Sequence, residues 1–167
     1  MKHLQIIIIS IYAMTLFSCE SSNDPDSTPM LALSVDSESV SINDAVTVSA
    51  ELVGVIEDIF AVSLRISYDA NRLSVDEEQT AWIGNMWSSN AIGLLEAEAG
   101  IIYLSITQIA GSQNVRAGAV CSLDFTCQQA GITSIDILAN NLVFYNENGA
   151  EISIPELELA GTSITIN

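Results

Sequence analysis

The stretch Phe60-Ala61-Val62-Ser63-Leu64-Arg65-Ile66-Ser67-Tyr68 sets five large apolar side chains, at 60, 62, 64, 66 and 68, in strict alternation with Ala61, Ser63, Arg65 and Ser67. A period of two places successive side chains on opposite faces, so this is a strand with one face in a core and the other outside. A slip of one residue would expose all five apolar groups, at ~1.5–3 kcal/mol each, which fixes the register.

Working outward, the same short-period pattern predicts strands at 31–36, 38–42, 45–52, 59–68, 72–76, 91–96, 101–109, 119–128, 132–138, 142–145 and 161–166. Turn signals stand between them at Gly54, Gly84, Gly100, Gly111, Gly118, Gly131, Asn148-Gly149 and Gly161. No stretch combines a 3.6-residue period with helix caps. Many short strands at near-regular spacing predict an all-β antiparallel sandwich. The least regular segment, 77–90, reads as a loop or a single helical turn.

The amino terminus has a different character. Lys2 and His3 precede an uncharged apolar run from Leu4 to Phe17, shorter than the roughly 20 residues a membrane span needs, and the run closes on Leu16-Phe17-Ser18-Cys19. These features resemble a bacterial lipoprotein leader, residues 1–18, with Cys19 as the lipidated residue. Several acyl chains hold a protein firmly at a membrane where one holds only marginally. The expectation is an exported protein tethered at the cell envelope through lipid alone. Residues 19–30, polar and punctuated by Pro25 and Pro29, read as a flexible tether, and residues 31–167 as a single domain.

Composition excludes much chemistry. Removal of the leader takes with it the only lysine and the only histidine, leaving Arg65, Arg72 and Arg116 against 21 acids, 3 − 21 = −18. Without an imidazole or lysine the remaining chain has no Ser/His/Asp or Cys/His machinery, no His-ligated zinc and no Schiff base. Nucleic acid would be repelled, since its recognition rests on Lys and Arg at phosphates. Cys121 and Cys127 lie on one predicted strand, roughly 20 Å apart at ~3.3 Å per residue, too far for a disulfide. They share a face with Leu123 and Phe125 and read as buried apolar filler.

Several motifs together resemble cohesin domains. Phe60 to Leu73, an alternating strand ending in Tyr68-Asp69 before a short turn and a leucine, is similar to the family's strand-turn-strand signature. Gly100-Ile101-Ile102-Tyr103-Leu104 resembles its glycine-led central strand. Gly118-Ala119-Val120 with Leu123-Asp124-Phe125 resembles its later glycine-and-phenylalanine strand, and Gly161-Thr162-Ser163-Ile164-Thr165-Ile166 its closing strand. The resemblance spans about residues 31–167. It implies a nine-stranded antiparallel jelly-roll sandwich related to carbohydrate-binding modules, without catalytic activity or cofactor. It further implies a dockerin-like partner carrying paired calcium loops, in the setting of extracellular polysaccharide degradation. The partner face it implies uses the outward side chains of strands 59–68, 91–96, 101–109 and 119–128, namely Ala61, Ser63, Arg65, Ile101, Tyr103, Ser105, Val120, Ser122 and Asp124. Ala61 and Ser63 stand where the family often has Asn or Asp.

Other constellations compete. Trp82 and Trp87 around Gly84-Asn85-Met86 could stack on sugar rings, giving the alternative of a surface carbohydrate-binding protein of a polysaccharide-uptake system, or could plug one end of the sandwich. A structural envelope domain with a basic partner is a third reading. Asp76, Glu77 and Glu78, with Glu96 and Glu98, are read as a solvated edge rather than a glycosidase pair. Asp69 with Asn71, and Asn140, Asn141, Asn146 and Asn148, could hold a structural calcium but more simply satisfy turn backbone.

Overall fold

The alternating stretch becomes the central strand of one sheet of a two-sheet sandwich. The computed structural model describes residues 28–79 and 81–167, without the Arg116 side chain; the predicted leader, Cys19 and most of the tether lie outside the described residues. Thirteen strand segments follow in chain order among the described residues: β1 (Met30–Val35), β2 (Ser39–Val40), β3 (Ala45–Ile59), β4 (Ala61–Tyr68), β5 (Leu73–Val75), β6 (Ile92–Glu98), β7 (Ile101–Thr107), β8 (Gln113–Cys127), β9 (Gly131–Ile137), β10 (Val143–Tyr145), β11 (Glu151–Ile152), β12 (Glu158–Ala160) and β13 (Thr162–Ile166). A single 3-10 turn, Ala139–Asn141, interrupts them.

One sheet runs β12-β1-β3-β8-β5. In the other, β4 pairs on one side with β7, which carries β6 at its outer edge, and on the other side with β10 and β9; β9 then leads to β13 and β2, and β10 to β11. Pairing is antiparallel except for β1 with β12 and β2 with β13. Both parallel pairs arise because two segments change sheets side by side: β1 gives way to β2 after Val35, and β12 to β13 at Gly161. A Cβ at Gly161 would meet Asp136 Oδ1 at 2.2 Å and the Ile135 carbonyl oxygen at 2.8 Å, so the crossing admits only glycine.

The core lies between the inner faces. Leu31 and Leu33, Val46 to Leu52 at alternate positions, and Cys121, Leu123, Phe125 and Cys127 come from one sheet. Val62, Leu64, Ile66, Ile102, Leu104, Ile106, Ile135, Phe144, Ile164 and Ile166 come from the other. Both cysteines are free and buried, as their shared face predicted. Burial pushes the Cys121 thiol up to about 12, against the smaller lowering effect of a backbone hydrogen bond at Ala50.

Several boundaries depart from expectation. Strands β3 and β8 each run 15 residues, well beyond 45–52 and 119–128, because register shifts at Ala50/Glu51 and around Ile56 break the alternation while pairing continues. Gly54 at φ 108° and Asp58 at φ 64° mark these irregularities. The pairs β11 and β12 are two and three residues long, too short to carry a period. Met30 already belongs to β1 rather than to the tether.

Candidate functional site

The outer face of the β6-β7-β4-β10 sheet is a grid set by register. One cross-strand row is Ile92, Thr107, Ala61 and Tyr145; the next is Leu94, Ser105, Ser63 and Val143. Then come Glu96, Tyr103 and Arg65, and finally Glu98, Ile101 and Ser67. The two ends of this face differ in chemistry.

At the first end, small side chains on the two central strands leave a depression of about 410 Å³ between Ile92 and Leu94 on β6 and Tyr145 on β10. Ile92 and Leu94 are 59% and 58% exposed, large values for aliphatic side chains. At the other end the Arg65 guanidinium sits over the Tyr103 ring, 4.9 Å from its centroid, with Glu96 beside Tyr103 on β6. Such a contact holds Arg65 flat against the sheet and leaves its charge available in an acidic molecule. The predicted residues Ala61, Ser63, Arg65, Ile101, Tyr103 and Ser105 are thus gathered on one surface.

Val120, Ser122 and Asp124 are not part of it, which corrects the predicted nine-residue face. Strand β8 belongs to the opposite sheet, and the fourth strand of the grid is β10. Ser122 Oγ lies 2.8 Å from Ser49 Oγ, and Asp124 accepts a hydrogen bond from Thr47 Oγ1 at 2.8 Å, both on the far side of the sandwich. Val120 is fully buried. It is the extra residue where Cys121 pairs with Ala50 and Ala119 with Glu51, so the bulge turns its side chain inward. Ile92, Leu94, Thr107 and Tyr145 were missed. In Ile92–Glu98 both alternating sets contain apolar residues, so the pattern alone does not say which set faces out.

Of the two readings of the tryptophans, the structure favours burial over glycan stacking. Trp82 and Trp87 are each 7% exposed and offer no ring face to a sugar. Residues 76–79 and 81–86 are neither a free loop nor a helical turn; they strap the open edge of β8. Asp76 N–H donates to Asp124 O, Ser122 N–H to Trp82 O, Gly84 N–H to Val120 O and Met86 N–H to Ala119 O. The strap sets Trp82 under β6, and the next residues set Trp87 against β8, where its Nε1 donates to Val120 O at 2.9 Å. A Cβ at Gly93 would meet Trp82 Cη2 at 2.4 Å, and one at Gly84 the Ala119 carbonyl oxygen at 2.0 Å, so both glycines are required by this packing.

Two of the candidate calcium donors, Asp69 and Asn146, are engaged in their own turns. Asp69 Oδ1 accepts from the Asn71 backbone and side chain, and its Oδ2 pairs with Arg72 Nε at 3.2 Å. Asn146 Oδ1 accepts from the N–H groups of Asn148 and Ala150. Among the described residues no three His, Cys, Asp or Glu side chains converge as metal ligands. Glu77 spends one carboxylate oxygen on the Ala97 N–H at 3.1 Å. Burial, and secondarily the Glu77 charge, raise the Tyr68 phenol above its ordinary range.

The sandwich is of the cohesin type. A type II cohesin domain from the cellulosome of Acetivibrio cellulolyticus superposes with a TM-score of 0.68 at 18% identity, covering 83% of this chain and 95% of that one. A type II cohesin–X-dockerin complex from the same organism gives 0.68 at 14%, covering 83% and 99%. A non-cellulosomal cohesin from the archaeon Archaeoglobus fulgidus gives 0.63 at 12%, covering 84% and 92%. The likeness at these identities is one of fold. No sequence-family model and no curated protein sequence matches the chain.

Proposed function

We propose that this chain is a non-catalytic protein-recognition module of cohesin type, docking a dockerin-like partner on the outer face of β6-β7-β4-β10. The observation that carries the reading is the grid itself: a flat sheet surface with an apolar depression at one end and the Arg65–Tyr103 pair at the other, on a fold shared with cohesins. Flat, mixed surfaces of this kind suit a protein rather than a small substrate, which needs enclosure. In this reading Cys19 carries lipid and holds the module at the cell envelope, in the service of extracellular polysaccharide degradation. Calcium enters through the partner's loops and not as a cofactor of this chain.

The test is a titration of residues 20–167 with a purified dockerin bearing paired calcium loops, in calcium and in chelator. Binding should require calcium and weaken about tenfold or more in Arg65→Glu, while Ser122→Arg on the opposite sheet leaves it unchanged. Equal losses in both variants, or binding indifferent to both, would remove the face from consideration. For the anchor, palmitate labelling should be present in the full chain and absent in Cys19→Ala.

A further inference from the structure

The two sheets treat their edges differently. The strap covers β8 with main-chain hydrogen bonds, but β6, seven residues long, is left at the outer edge of its sheet. Natural edge strands are usually blunted by charged side chains, lysine above all, by proline, by a bulge or by a cover. Strand β6 has acids at Glu96 and Glu98 but no lysine, proline or bulge, and its register with β7 runs unbroken from Ile92↔Thr107 to Glu98↔Ile101.

That register fixes which backbone groups face outward. The two-residue turn at Ala99-Gly100 makes Glu98 and Ile101 a hydrogen-bonded pair, so Gly93, Leu95 and Ala97 point their N–H and C=O groups away from β7. Ala97 N–H is met by Glu77 Oε2, and at the other end Ala91 N–H by Ser88 O. Between these two, no described residue outside the strand ladder pairs with the backbone of Gly93 or Leu95. The side chains bordering this gap on the outer face are exposed Ile92 and Leu94, followed by exposed Glu96 and Glu98.

We infer that β6 accepts an added strand from a partner: an extended segment, antiparallel to β6, that sets basic side chains beside Glu96 and Glu98 and aliphatic ones beside Ile92 and Leu94. Main-chain bonds to Gly93 and Leu95 supply the pairing, and the side-chain order supplies the choice. Charge selects the partner's sign, since the chain carries 21 acids against four Lys and Arg, and a second copy would bring like charge to like. The side chains of Ile92, Leu94, Glu96 and Glu98 also border the face proposed for the dockerin-like partner. The outward backbone of Gly93 and Leu95 is not part of that face, so N-methylation and Leu95→Pro test the edge separately from Arg65→Glu.

The probe is the labelled peptide Lys-Thr-Lys-Thr-Val-Thr-Val, compared with the same peptide N-methylated at its threonines, titrated into the full chain in a non-ionic detergent. Fluorescence anisotropy should show binding that weakens at least tenfold on N-methylation, and hydrogen exchange should slow in 92–96 with the parent peptide only. Leu95→Pro removes an outward N–H that no ladder bond uses, and it should lower parent binding to the level of the methylated peptide. Equal binding of both peptides would reduce the effect to charge attraction. Protection elsewhere in the chain, or self-association of the chain through β6 in place of peptide binding, would likewise overturn the inference.

Discussion

Replacing Trp87 by alanine distinguishes a structural plug from a ligand platform. The side chain is 7% exposed and lies against β8, so nearly all of its roughly 200 Å² is withheld from water. At ~25 cal/mol per Å² the burial amounts to about 5 kcal/mol as an upper bound, and buried Trp→Ala changes run about 3–5 kcal/mol. Trp87→Phe keeps most of the ring and deletes the donor to Val120 O, an oxygen that still accepts from Gly84 N–H at 3.0 Å. Its loss should therefore be nearer 1 kcal/mol. With a urea slope of ~2 kcal/mol per M, the midpoint should fall by about 2 M for Trp87→Ala and about 0.5 M for Trp87→Phe. Far-UV circular dichroism in urea reads both shifts. A Trp87→Ala midpoint within about 0.3 M of the parent would refute the burial argument and return the indole to the surface, where a glycan could use it.

The Cys121 thiol, held up to about 12 by burial, gives a pH signature: because the folded value lies above the unfolded 9.0, its stabilisation is complete below about 9 and is lost as pH rises towards 12. Cys121→Val should flatten that decline in urea titrations relative to the parent, and an unchanged slope would contradict the assignment. Ala99 sits at φ 52° in the β6–β7 turn, a left-handed conformation disfavoured for a residue with a Cβ, so Ala99→Gly should raise stability by about 1 kcal/mol in thermal melts. A loss on this substitution would mean that the Ala99 methyl is held by contacts that outweigh its strain.

Legibility followed the regularity of the local pattern. Ala61–Tyr68 was read correctly because one of its alternating sets is uniformly large and apolar and the other uniformly small or polar. In β6 the alternating sets are Ile92, Leu94, Glu96, Glu98 and Gly93, Leu95, Ala97, both partly apolar, and the face was undecided. The strap failed differently: its hydrogen bonds run to β8, more than thirty residues away, and leave no period of their own.

The sequence by itself determined the all-β class, the register of its central strand, the burial of Cys121 and Cys127 and the acidic character of the surface. These are properties of neighbouring residues and of totals, which a linear reading contains. Tertiary structure alone decided which strands share a sheet. Alternation tells whether a side chain faces in or out but not which sheet its strand joins, and that is why Ser122 and Asp124 proved to face outward on the wrong side. Only the folded chain, likewise, shows that Gly93 makes room for Trp82, because that contact joins two segments whose sequences carry no mark of each other.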